Sequence, residues 1–316
     1  MSAPGSTRSR AEVVPVSGKA AGTAAGSMPL GADLASRPPR GPWRLAAARL
    51  RRARLALAGT VVVLVVVLLV LFADAVVPYG ENEIDLFNIT AQPSAEHRLG
   101  TDELGRDELT RLVYGGRVSL LVGVAAALLS TVLGIVVGAV AGYRGGWVDA
   151  ALMRFVDVML AFPAIFLLLI LFSIHGSSVG AVILFLGLFS WMWLARIIRG
   201  EFLSLKQRDF VEAARAIGVP GGRIVLRHLL PNVVAAIVVA TALNVAYAML
   251  AEATLSFLGF GVPPETATWG NMLNAARPYY TTVPMLAIAP GLTLTITVLA
   301  INFVGDGLRD ALDPRR

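Results

Sequence analysis

The sequence contains no cysteine, which excludes disulfides, thiolate metal sites and a cysteine nucleophile. Histidine is nearly absent too, with three in 316 residues: His97, His175 and His228. There is no His-Glu-x-x-His, so a zinc hydrolase has no motif to rest on. There is no Gly-x-x-x-x-Gly-Lys-Ser/Thr either, and Gly18-Lys19 stands alone, so the chain has no phosphate loop of its own. Charge is scarce at 15%, while 56% of residues are hydrophobic and the mean hydropathy is +0.71. A soluble core of this length needs far less apolar surface. The excess must face lipid.

The first long apolar run, Leu55 to Phe72, holds 18 residues without a charge. At about 1.5 Å per residue it spans a hydrocarbon core of about 30 Å. A signal peptide is excluded, because 54 residues precede the run and it exceeds an ordinary apolar core of such a peptide. Five further spans are predicted at roughly 118–141, 152–172, 179–198, 233–257 and 284–304, with Pro163 kinking the third. The expected fold is therefore all-α and integral to the membrane, with six transmembrane helices.

Basic residues follow the sides of the membrane. Ten Lys and Arg precede span 1, with Arg44, Arg49, Arg51, Arg52 and Arg54 crowding its start as an anchor on anionic lipid. The 78–117 loop has four, outnumbered by eight acids. Residues 196–232 hold seven, the next loop only Arg277, and the tail Arg309, Arg315 and Arg316. This alternation places both termini and the 196–232 loop in the cytoplasm. It also removes a nucleic-acid reading of the net charge of +6, because the charge is tied to membrane sides. Residues 1–44 are rich in Ala, Gly, Ser, Pro and Arg without apolar periodicity, and read as a disordered basic cytoplasmic tail. Residues 45–117 then form the first transmembrane helix and outer loop, and 118–316 a five-helix core with a cytoplasmic loop at 199–231.

Within span 2, Ala126, Ser130, Gly134, Gly138 and Gly142 recur every fourth residue, a stripe suited to close helix packing, with a pore lining as the alternative. In the outer loop Glu103, Arg106, Asp107, Glu108, Arg111 and Arg117 alternate in sign along an expected amphipathic helix, either solvated at the interface or a docking surface.

The cytoplasmic loop carries the most information. Asp209 is placed as an N-cap, and Phe210, Ala213, Ala214 and Ile217 share one helix face. Gly218 stands where a left-handed C-cap ends that helix, Val219-Pro220-Gly221-Gly222 turns, and a second short helix runs to Pro231. Hung between two spans, this pair of helices meets partners only at the membrane surface.

Glu212, Ala213, Ala214, Gly218, Ile224 and Pro231 resemble the Glu-Ala-Ala signature of permeases of bacterial binding-protein-dependent ABC importers, and His228-Leu229 resembles the peptide branch. Leu99 to Asp107, Arg117-Val-Ser-Leu-Leu, Asp157 to Pro163, Glu252 to Gly259, Trp269-Gly-Asn-Met-Leu and Gly305 to Pro314 resemble the dipeptide, oligopeptide and nickel permeases, in particular the second subunit of the pair. The resemblance covers residues 45–316. It implies a type I importer permease fold in the bacterial cytoplasmic membrane, with no cofactor or metal. It further implies a homologous second permease, two ATP-binding cassette ATPase subunits and an extracytoplasmic substrate-binding protein as partners. The helix around Glu212 would then be the coupling helix, with Asp209, Glu212, Ala213, Ala214, Gly218, Ile224, His228 and Pro231 as its ATPase-coupling residues. Short peptides lead as substrate over nickel, because no His, Cys or carboxylate cluster lines a span.

Polar residues inside spans are costly in lipid and should face the bundle or a wet path. Asp157, Asn244, Tyr247 and Glu252 are the translocation-path candidates, with Asn244 equally able to bond a neighbouring helix. Two rival readings exist. An intramembrane aspartyl hydrolase would use Asp157 and Asp306, but neither lies in a protease motif. A channel or secondary transporter explains the spans but not the exposed loop helices.

Overall fold

The computed structural model describes residues 53–312. The tail at 1–44, Arg44, Arg49, Arg51, Arg52, Pro314, Arg315 and Arg316 lie outside them. Among the described residues the structure is helical, with one isolated β-bridge between Thr101 and Asp107.

Helix α1 (Arg54–Leu71) is apolar all round and about 27 Å long. It buries only Ala56, Gly59 and Val70, and Gly59 permits the approach to a later helix, since a Cβ there would lie 2.6 Å from the Ala300 carbonyl oxygen. A single turn, α2 (Ala73–Val76), follows it. Helix α3 (Glu108–Arg144) is the spine of the bundle. Asp107 caps it by accepting from the Thr110 N–H at 2.8 Å. It starts ten residues before the predicted span, so the domain boundary expected at 117 falls inside a helix. Glu108, Thr110 and Arg111 are buried against protein at this point, and the helix runs through them.

The predicted third span is two helices. α4 (Gly146–Ala161) and α5 (Ala164–His175) meet at Phe162-Pro163 with a bend of 82°. Proline has no N–H to continue the ladder, and Phe162 before it is extended, so the helix breaks outright. Neither half crosses a membrane alone. Helix α6 (Val179–Leu205) begins at Ser178, whose hydroxyl accepts from the Ala181 N–H at 3.1 Å.

The loop helix α7 (Asp209–Ala216) leads to α8 (Gly221–Ile224), a π-helical turn at Val225–Leu229 and α9 (Leu230–Phe257). Residues 221–257 run on as one membrane-length helix, so the short helix predicted to end at Pro231 does not end there. The widened turn is the physical reason. Leu230 donates to the Val225 carbonyl five residues back, which loosens the ladder just before a proline with nothing to donate. Asn232 Nδ2 then takes the His228 carbonyl at 2.6 Å. Helix α10 (Trp269–Ala275), capped by Thr268, and α11 (Met285–Leu312) complete the chain.

Among the described residues five helices are long and apolar enough to cross a membrane, and the bent α4–α5 pair makes six when counted as one crossing. The small-residue stripe is a packing surface. A Cβ at Gly134 would meet Leu194 at 2.9 Å, at Gly138 the Ala195 carbonyl oxygen at 2.5 Å, and at Gly142 Phe202 at 2.6 Å. Both partners rise in number together, so α3 and α6 run parallel. Helix α9 runs antiparallel to α3, with Ser119 beside Glu252, Ser130 beside Asn244 and Thr131 beside Thr241. It follows that the start of α1, the end of α11 and the α7 loop share one end of the bundle, the α7 end. Segments 72–107 and 258–284 share the other.

Candidate functional site

At the α7 end, the loop helix is clamped by Val211 and Ala214, which are buried with Phe202, Ile224, Leu229 and Val233. Of the face expected from 210, 213, 214 and 217, only Ala214 points inward. Phe210 is 42% exposed, Ile217 81%, and Ala213 is exposed between them. The inward stripe is thus set one residue round the helix, by Val211. Asp209 does not cap: it is the first helical residue, and Arg208 before it makes no side-chain cap bond. Gly218 has φ +80°, and Val219 N–H reaches the Ala214 carbonyl at 3.0 Å, the six-to-one link of a left-handed helix stop. Glu212, Arg208, Arg215, Arg223 and Arg227 are exposed around it. Ile224 is buried beneath α7, His228 sits half-buried in the π turn, and Pro231 is exposed.

Beside the α4–α5 bend, a cavity of about 690 Å³ lies between that bend, α6 and α9, open on one side where Phe162, Trp193 and Tyr247 are exposed. Phe162, Phe189 and Trp193 wall it, and Arg196, Asn244 and Tyr247 supply polar groups. Asn244 Nδ2 donates to Ser130 Oγ at 2.8 Å, so it both lines the cavity and ties α9 to α3. Asp157 does not line the cavity but holds Arg196, which does, through Nη2 and Oδ1 at 2.5 Å. Arg196 was not singled out from sequence as a lining residue. Its signal was a charge in the apolar run Leu194-Ala195-Arg196-Ile197-Ile198.

Glu252, expected on the path, is instead fully buried. It accepts from Ser256 Oγ at 2.7 Å and Ser119 Oγ at 3.3 Å. A carboxyl one helical turn from a serine and facing another helix closes its own hydrogen bonds inside protein. No hydrogen bond joins Asp157 to Asp306 among the described residues, and Asp306 is exposed on α11.

At the opposite end, the expected amphipathic helix over 103–117 is absent as such. Residues 101–107 form a turn, the helix starts at Glu108, and most of the charges are buried, with Glu103 and Arg117 partly exposed. Asp102, Arg106, Asp107, Glu108 and Arg111 are each at most 7% exposed. Asp102 accepts from Arg106 Nε at 2.7 Å and from the Leu104 and Arg106 N–H groups, and Arg111 Nε lies 3.5 Å from it. His97 Nδ1 pairs with Asp107 Oδ2 at 3.0 Å under the Tyr79 ring. Among the described residues Glu103 Oε2, Glu108 Oε1 and Arg111 Nη1 have no hydrogen-bond partner, and these side chains border a void of about 10 Å³, room for about one water. Nearby, the Tyr114 hydroxyl and then Arg117 hold the Asp74 carboxyl below its usual range, and the Asn88 amide and Phe87 N–H do the same for Asp85.

Residues 134–316 match the family described as binding-protein-dependent transport system inner membrane component. Residues 41–93 match the N-terminal TM domain of oligopeptide transport permease C. Over 277 residues, 87% of this chain, the sequence is 45% identical to a Brucella suis biovar 1 protein bearing the name of a peptide permease, covering 92% of that protein. It is 41% identical, over 87% of this chain and 91% of the relative, to the glutathione transport system permease protein GsiD of Escherichia coli O6:K15:H31. A structure of the MetNI methionine ABC transporter in inward-facing conformations superposes with a TM-score of 0.53 at 21% identity. That likeness covers 64% of this chain and 96% of the MetNI chain, and concerns the fold.

Proposed function

The chain belongs to the binding-protein-dependent transport system inner membrane components, the multi-pass permease subunits of bacterial ABC importers, and on that premise we propose that it moves short peptides inward, driven by ATPase subunits seated on α7. The protein is a transport subunit of the inner membrane.

The observation that carries the coupling is the two-sided build of α7. Val211 and Ala214 lock the helix to the bundle, while Phe210, Ala213 and Ile217 are left outside with Arg208 and Arg215 around them. A helix anchored on one side and apolar on the other transmits a push from a docked partner to α6 and α9, between which it hangs. Asp209, Glu212 and the short side chain of Ala213 belong to this docking surface. Gly218, Ile224, His228 and Pro231 serve it from beneath, as its stop, its floor and its link into α9.

The charge alternation supports placing the α7 end in the cytoplasm, where Arg54, Arg144, Lys206, Arg208, Arg215, Arg223, Arg227 and Arg309 gather. A homologous permease would complete the path along the open side of the cavity, with Asn244 and Tyr247 lining it. Two ATPase subunits would close beneath, and an extracytoplasmic binding protein would deliver cargo at the opposite end. Peptide is favoured over nickel because relatives are named for peptides and for glutathione, itself a tripeptide.

The test is uptake by the assembled importer in proteoliposomes. Peptide accumulation should require ATP, the binding protein and both permeases. Ile217→Glu should leave the permease folded, since Ile217 touches solvent, but abolish ATPase co-purification and uptake. Uptake by this chain alone without nucleotide would overturn the reading.

A further inference from the structure

Two Arg–Asp pairs join α4 to α6, and they are built differently. Arg199 grips Asp149 through both Nε and Nη2, and the Asp149 side chain is only 14% exposed. Arg196 holds Asp157 by one bond, and those side chains are 38% and 48% exposed. The first pair suffices to clamp the two helices. The second is loose.

The loose pair also lies within predicted spans, Asp157 in 152–172 and Arg196 in 179–198, toward the α7 end of each. A charge pair inside a span is expensive unless it faces a wet or ligand-lined space. Arg196 faces the 690 Å³ cavity, beside the Trp193 ring at 5.7 Å and in the same lining as Asn244 and Tyr247. A guanidinium has five donors in a planar fork, and among the described residues one of them is bonded to a side chain, the Asp157 carboxylate. A fork of donors facing a cavity suits a planar anion such as a second carboxylate.

We propose that Arg196 receives the C-terminal carboxylate of the transported peptide in this cavity, releasing Asp157, and hands it back to Asp157 as the peptide leaves. This rests on the reading of the chain as a peptide permease. Every unmodified peptide carries a carboxylate at its C-terminus, and the ammonium at its other end is a charge that a guanidinium repels. Binding it by a fork of donors is independent of side chains, while the Phe162, Phe189 and Trp193 walls accept residues of many shapes. Asp157 keeps the guanidinium neutralised between cargoes.

The experiment is a double-mutant cycle in the complete importer, reconstituted in proteoliposomes and given a mixture of tripeptides in free-acid and C-terminally amidated forms. Arg196→Gln should lower free-acid uptake about tenfold. It should also collapse the preference for free acid over amide, since the binding protein is the same in both preparations. Asp157→Asn should slow uptake, because no carboxylate takes the guanidinium back as the peptide leaves, but it should keep the preference for free acid over amide, because Arg196 still meets its cargo. The double variant should lose that preference as Arg196→Gln does. If the double variant returns to wild-type uptake, or Asp157→Asn loses the acid preference as fully as Arg196→Gln, the pair is a structural tie and the proposal falls. An unchanged acid-to-amide ratio in Arg196→Gln overturns it equally. Wild-type importer that takes up neither form with ATP would instead sink the peptide-permease reading, and this proposal with it.

Discussion

Ser119 on α3 donates to the Glu252 carboxyl on α9 at 3.3 Å and accepts from the Trp269 N–H of α10 at 3.2 Å, so one hydroxyl joins three helices at a site closed to solvent. Glu252→Ala would strand the hydroxyls of Ser119 and Ser256 in the interior, at a cost of about 1–3 kcal/mol. Glu252→Gln keeps an acceptor oxygen and the shape. Thermal unfolding of purified protein should rank wild type above Gln and Gln above Ala. An alanine variant as stable as wild type would remove the structural role assigned to this carboxyl.

The buried charges around Asp102 predict a larger effect. Asp102→Ala leaves Arg106 and Arg111 desolvated without their shared carboxylate, a loss of about 3–5 kcal/mol. Asp102→Asn retains an oxygen for the Leu104 and Arg106 N–H groups and should lose less. Proteolysis of the 78–107 segment in membranes reads this directly, with faster cleavage expected in the alanine variant.

At the α3–α6 contact, Gly138→Ala should cost about 1–3 kcal/mol, since the added carbon meets the Ala195 carbonyl oxygen at 2.5 Å and Ile198 at 2.8 Å, and backbone cannot step aside. Gly200→Ala on α6 has no neighbour within 4 Å and should be neutral or stabilising by under about 1 kcal/mol. Equal melting shifts in the two variants would contradict packing through the stripe.

Gly218 separates backbone strain from crowding. No atom lies within 4 Å of a Cβ built there, yet φ is +80°. Gly218→Leu should therefore strain the end of α7 by about 1–2 kcal/mol and uncouple uptake from ATP hydrolysis, with the permease still in the membrane. Gly218→Asn, which tolerates a left-handed conformation, should retain more coupling. Wild-type import rates in Gly218→Leu would show that α7 needs no fixed stop.

The spans, the stop at Gly218 and the packing role of the small residues were legible because each is a local or periodic property of the chain. Depth and direction were less so. Phe210 and Val211 are adjacent and both apolar, and nothing local says which one the bundle takes. The run from Glu103 to Arg117 alternates in charge as a solvated helix does, and only the approach of distant segments turns Arg106, Asp107, Glu108 and Arg111 inward.

By itself, the sequence determined the number and apolar length of the crossings and the side to which basic charge is biased, since lipid imposes these residue by residue. The tertiary structure alone decided that Pro163 breaks a span by 82°, that Glu252 is sealed inside protein and that Arg196 faces a cavity with Asp157 at its back. Each depends on which helix stands opposite, and a hydrogen bond between residues 39 or 133 positions apart leaves no trace in the periodicity of either one.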